Sequence, residues 1–349
     1  KMTKLKILLF FMLTMVSFAQ NEIKINAKLL ENGKKIEVLQ EITLTNTSTS
    51  VLTEIVLNDW INAFSSKKSA LASKFSDEFN RSFHLSKKAD RGETQIFEIT
   101  NQFSNPLEFY RDENQVDILK VKLEKPLQIG ESTTLKIKYQ ITLPITKFTK
   151  FGYSENKILL KNCFLTIAAF NLEPQSEENS DDLTSEISNY KVAIQHDNLF
   201  LTTDLDVSNS TNNFSQLTGN SRTNFFIALE KTISYEEFKN QKINVITNLK
   251  SKDVAIYEKV LIIDKITNYV AGKIGASNQE KIMVSQEDYD REAFYGLNEL
   301  PSFISPFNDD FVFELKFLKT YLNNYLVANL KINFRKDHWI LEGIQHYYI

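Results

Sequence analysis

His338, Glu342 and His346 recur every fourth residue in the last fifteen positions of the chain. On a helix this spacing sends all three side chains to one side. Two of them, one turn apart, can share a metal ion. Three spread over two turns span about 12 Å at 1.5 Å rise per residue, too far for a single ion unless the helix breaks. The pattern therefore allows a two-ligand site on His338 and Glu342, whereas protein zinc sites take three or four such donors. No other histidine lies between His196 and His338. A His-Glu-x-x-His helix, with two imidazoles on one face and a general base between them, has no place in that interval.

Other chemistries have less support. Cys163 is the single cysteine and sits in the apolar stretch 158–170, so no intramolecular disulfide can form and a buried small side chain is expected. There is no Gly-x-Ser-x-Gly elbow and no phosphate-binding glycine loop. His84 and His196 stand singly in polar settings. A net charge of −3, with no basic cluster beyond the N-terminus, gives nothing for nucleic acid to bind. At 349 residues, 42% hydrophobic, the chain has material for two folded domains.

The elements that must position these groups divide near residue 235. Before it the pattern is β. Apolar residues alternate over 23–30 and 36–45 on either side of Asn32-Gly33, a strong hairpin signal. The segment 51–57 reads as a continuation of that sheet, and Leu119, Val121 and Leu123 start another strand. Leu135, Ile137, Tyr139, Ile141 and Leu143 give the clearest period of two. Further strands are predicted at 157–165, 190–196 and 223–231. A short helix is predicted within 65–80, a solvated acidic loop at 173–186, and a mobile hairpin tip or linker at 209–220. After 235 come a strand at 243–249, a long helix at 254–274 and a strand at 282–286. An amphipathic helix follows, carrying Phe311, Leu315, Leu318, Leu322, Tyr325 and Leu326 at helical spacing. A last helix opens at Asp337 as its N-cap.

At the N-terminus, Lys1, Lys4 and Lys6 precede an apolar run, 7–16, too short to span a bilayer. Ser17-Phe18-Ala19 then supplies small residues for cleavage before Gln20. Residues 1–19 are expected to be a signal peptide, with export to the periplasm, the surface or the medium and no transmembrane span in the mature chain. Lys1 ahead of Met2, and a helix still running at Ile349, are read as marks of a fragment.

The last helix carries Trp339, Glu342, Gly343, Ile344 and Tyr347. In these positions it resembles the Trp-Leu-x-Glu-Gly-Phe helix of the aminopeptidase N family of gluzincin metallopeptidases. Ile42-Thr43-Leu44-Thr45-Asn46, Glu54-Ile55-Val56-Leu57-Asn58 and the segment from Trp60 through Asn62-Ala63-Phe64 look like that family's early strands. The resemblance implies a saddle-like antiparallel β domain over 20–235, then the start of a thermolysin-like α/β domain over 236–349, truncated at its C-terminus. It also implies that Glu342 occupies the place of the distant zinc ligand. Asn323, nineteen residues earlier, then stands at the second histidine, Lys319 at the first, and Thr320 at the general base. A lysine ammonium repels a divalent cation, and asparagine is a poor zinc ligand. The family's zinc is thus expected to be missing, with no cofactor in its stead and Lys319 neutralising Glu342. Gly296 and Glu299 fall in the family's amine-binding loop and are the substrate-binding candidates. The expectation is a non-catalytic peptide- or protein-binding homologue. An active aminopeptidase completed by residues beyond Ile349 and a structural envelope protein are the alternatives.

Overall fold

A computed structural model describes residues 20–294, 297, 307–330 and 332–349. The signal-peptide segment 1–19 and the pair Gly296 and Glu299 lie outside the described residues. The expected β-then-α/β architecture is observed, with three sheets built from residues before 231 and a fourth from residues after 235.

The largest sheet has seven strands. Their order is Asp206–Ser210, Phe214–Arg222, Ser188–Gln195, Asn21–Leu30, Lys35–Thr45, Ser132–Thr142 and Glu93–Asn101. Asn21–Leu30 and Lys35–Thr45 form the hairpin predicted from Asn32-Gly33. Gly33 has φ +88°, and a Cβ there would come within 2.0 Å of Ile158 Cδ1, so the turn needs glycine on both counts. All pairings in this sheet are antiparallel except one, the parallel pair of Asn21–Leu30 with Ser188–Gln195. Alternate residues such as Ile23, Ile36, Leu135, Tyr139 and Val192 turn inward and share one core with Ile55, Leu57, Leu119 and Val121 of a second sheet. Inside it, Tyr139 Oη donates to Gln40 Oε1 at 2.5 Å, and Gln40 Nε2 donates to the Leu165 carbonyl at 2.7 Å, so the buried amide is satisfied.

Three expectations need correction here. Leu52–Asn58 does not continue the first sheet but pairs with Ile118–Leu127 in the second, because alternation fixes a strand's buried face and not its partner. Most of 209–220, expected as a mobile hairpin tip or linker, lies in the paired strands of the edge hairpin of Asp206–Ser210 with Phe214–Arg222, and only its turn is a tip. The acidic loop is solvated only in part: Glu173 and Glu178 are exposed, but Glu177 is 5% exposed and Ser180 is buried. The predicted short helix is present as α1, Ala70–Asp77, capped by Ser69 Oγ accepting from Ala72 N.

His196 is buried beside this edge hairpin. Its Nε2 lies 3.0 Å from Ser215 Oγ, and its Nδ1 has no hydrogen-bond partner. Burial holds its pKa below the ordinary 6.5, against the weaker pull of Asp197. Native binding therefore favours the neutral ring. Its contribution is complete above about pH 6.5 and is lost as pH falls from there through the depressed native pKa. A His196→Gln variant should flatten the acid limb of the stability profile, measured as urea midpoints between about pH 7 and pH 5.

In the C-terminal part, Glu236–Lys239, Asn244–Thr247 and Lys281–Val284 form a three-stranded sheet, the last two parallel. A parallel pair needs a crossover, and helix α2, Ile256–Ile274, supplies it. Ser285 then caps α3, Gln286–Arg291. Helix α4, Asp309–Asn329, buries Phe313, Phe317, Tyr321, Leu322, Tyr325 and Leu326. Its apolar stripe thus matches the predicted one only in part, and Phe311 is 44% exposed. Four aromatic rings at spacing four line it, with centroids 6.1, 5.6 and 5.7 Å apart, so the buried face keeps the predicted Leu322, Tyr325 and Leu326 and adds Phe313, Phe317 and Tyr321. Helix α5, Phe334–Tyr348, begins earlier than expected. Asn333 caps it by accepting from the amides of Arg335 and Lys336, while Asp337 sits at a kink with φ −112°.

The two parts meet across the strand Phe226–Glu230, which is buried on both faces. Ile227 and Leu229 face the β core. Phe226 and Ala228 face Phe151, Tyr235, Ile246 and Met283, so the apolar seam includes residues of both parts.

Candidate functional site

Polar contacts surround that seam. Lys157 pairs with Glu287, and Lys161 pairs with Asp288 at 2.6 Å. The acidic loop 173–186 reaches across and grips α3 and α5. Arg291 of α3 pairs with Asp181 at 2.5 Å and also donates to Asn179 Oδ1 at 2.8 Å. Arg335 of α5 donates through Nε to Glu177 Oε1 at 2.6 Å and to the Glu173 carbonyl at 2.9 Å. His338 Nδ1 lies 3.9 Å from Asp182. Burial works to raise all three carboxyls. Arg291 and Lys161 overcome it at Asp181, whose pKa falls below the usual value, whereas Glu177 and Asp182 stay above theirs.

Between the two parts, next to this clasp, lies a cavity of about 860 Å³. Its walls include Lys161 and Arg222 from the β part, Ile282 and Met283 from the strand Lys281–Val284, Asn323 and Asn324 from α4, and His338 from α5. Of the sequence candidates among the described residues, Asn323 and His338 reach it.

The remaining candidates are dispersed. Lys319 Nζ donates to the Glu292 carbonyl and lies 4.8 Å from the centre of the Phe294 ring. Burial pulls its ammonium below the ordinary lysine range, while Glu292 and Glu342 push the other way. Thr320 is buried and donates to the Lys316 carbonyl, the usual partner of a mid-helix hydroxyl. Asn323 Nδ2 points to its neighbour Asn324 at 3.4 Å. The Glu342 side chain is 59% exposed and lies 3.5 Å from His338 Nε2. The expected Lys319–Glu342 ion pair is not formed among the described residues. An outward-facing carboxylate keeps its hydration and needs no buried counter-ion. His346 turns back on its own helix, with Nδ1 2.8 Å from the Glu342 carbonyl.

No three His, Cys, Asp or Glu side chains of the described residues gather as a metal-ligand group. The groups at the four positions that the resemblance assigns to a zinc site, three ligands and a general base, do not fit zinc. One is a cation held by a carbonyl, one a hydroxyl bonded within its helix, one an amide, and one a carboxylate aimed outward. Cys163 is buried, and its thiol is pushed above its ordinary range, which removes it as a nucleophile. Sequence reasoning read Glu177 and Asp181 as solvated loop charges and missed their pairing with Arg335 and Arg291. Their only signal was an acidic tract and two isolated arginines more than a hundred residues away.

No protein-family profile and no curated protein matches the sequence. Solved structures do. An M1 zinc metallopeptidase from Deinococcus radiodurans is similar over 94% of this chain and 69% of its own, at 11% identity and TM-score 0.49. A two-domain M1 zinc metallopeptidase bound to L-arginine matches over 76% of this chain and 56% of its own, at 11% identity and TM-score 0.44. Leukotriene A4 hydrolase from Saccharomyces cerevisiae matches over 78% of this chain at 10% identity and TM-score 0.41. The chain spans 56% of the second of these and 38% of the third. Among the described residues no helix is long and apolar enough to cross a membrane.

Proposed function

We propose that this chain is an exported, metallopeptidase-like protein that binds a peptide or protein segment in the cavity between its two parts and does not hydrolyse it. One observation carries the reading. Lys319, Thr320, Asn323 and Glu342 are each engaged or turned away separately, so no arrangement of them offers a metal three donors. The cavity that Asn323 and His338 line has a size suited to a few residues of peptide.

The enzyme alternative has a specific foothold in His338 and Glu342, one turn apart and 3.5 Å from each other. Elemental analysis of the full chain, purified without added ions, separates the two. The expected result is far less than one zinc per chain and no aminopeptidase activity above a blank, alongside saturable binding of peptides from a mixed library. Stoichiometric zinc whose removal by a chelator abolishes cleavage would establish the enzyme instead. A chain that enriches no peptide at all would leave only the role of structural envelope protein.

A further inference from the structure

The charged groups in the cavity wall are largely spent on each other. Lys161 is taken by Asp288 at 2.6 Å, and Arg222 by Asp204 at 2.9 Å and by Gln279 Oε1 at 3.2 Å. A ligand carboxylate would have to break one of these pairs to gain a cation. What the wall leaves open is carboxamide. The side chains of Asn224 and Asn278 line the cavity and form no hydrogen bond among the described residues, and Asn323 has only its 3.4 Å contact with Asn324. A carboxamide carries donors and an acceptor on one planar group and so complements a peptide unit.

The strand Lys281–Val284 adds the direction. It is an outer strand of its sheet, and its Ile282 and Met283 border the cavity. Asn324 Nδ2 donates to the Met283 carbonyl at 2.7 Å, so a side-chain amide already stands where the N–H of another strand would be. Of the acidic lining, Glu186 accepts from the Phe170 amide at 2.9 Å, and Glu292 lies exposed.

We infer that the cavity takes an internal, extended stretch of peptide through its main-chain amides, with no requirement for a free terminus. The inference rests on the peptide-binding reading above and names the part of the peptide that is recognised. A neutral heptapeptide of Ser, Thr, Val and Ala, made once with free ends and once acetylated and amidated, tests it by calorimetry on the full chain. Both forms should bind within about twofold of each other, and raising salt from about 50 to 300 mM should change neither, since no net charge is matched. The pair Asn224→Ala and Asn323→Ala, checked by thermal unfolding, should weaken both forms about tenfold, or ~1.4 kcal/mol. Loss of binding confined to the capped form, or a Glu292→Gln change that weakens only the free form, would overturn the inference and leave peptide binding standing. Failure of both forms to bind would remove the peptide-binding reading itself. Binding of an oligosaccharide in place of either peptide would overturn both.

Discussion

Replacing Arg291 by alanine is expected to lower stability by about 2 kcal/mol, less than for a fully buried pair because the stranded Asp181 side chain is 25% exposed. The guanidinium is 13% exposed and makes a fork to Asp181 with a further bond to Asn179, while its plane lies over Phe151 at 5.5 Å. Arg291→Lys keeps the charge and loses the fork, so it should recover only part of the loss. Urea unfolding of the three proteins gives the comparison. The pH dependence gives a second, independent check. Asp181 has its folded pKa depressed below 3.8, so the pair's contribution is fully present above that value and is lost as pH falls through the folded pKa. The gap between wild type and Arg291→Ala should hold constant from neutrality to about pH 5 and close below about pH 4. Because Asp181 lines the cavity, the variant should also weaken peptide binding, whereas a remote destabilising change should not.

The second large effect is expected at Phe317. The side chain is fully buried at the middle of the α4 ring column and packs against the strand Lys281–Val284 side of the core. Truncation to alanine deletes a ring from contacts on both sides and should cost about 3–5 kcal/mol. Phe317→Leu, which keeps most of the volume, should cost less than about 1.5 kcal/mol. Denaturant midpoints at unchanged slope would confirm a packing effect. A Phe317→Ala loss below about 1 kcal/mol would mean that the column is not the core of this part.

These two sites differ in how far the sequence announced them. The hairpin at Asn32-Gly33, the strand from Leu135 to Ile141 and the helix over 256–274 each follow from local periodicity and turn chemistry, and local rules are what a single sequence carries. The partner of Leu52–Asn58 was not legible, because its alternation suits either sheet. The rings of Phe313, Phe317 and Tyr321 in α4 were hidden by leucines at equally good helical spacing, and extending the buried face to them needs the opposing surface. The acidic tract failed for a sharper reason. Asp181 and Glu177 look like solvated loop charges until Arg291 and Arg335 are brought beside them, and no rule of spacing links residues more than a hundred positions apart. Lys319 shows the same limit. Its neighbour turned out to be the Glu292 carbonyl, a backbone atom that no side-chain pattern encodes.

The parallel pairing of Asn21–Leu30 with Ser188–Gln195 bears on how the chain reaches its native state. Asn21–Leu30 can settle one flank against its hairpin partner as soon as both are made. Its other flank must wait for a segment that follows 167 positions later (188 minus 21). At about 5–20 residues per second, synthesis alone imposes a delay on the order of ten seconds or more. Throughout that interval an apolar ribbon stays open to mispairing. Such a topology closes slowly, and a holding chaperone would shield the open flank until Ser188–Gln195 is delivered.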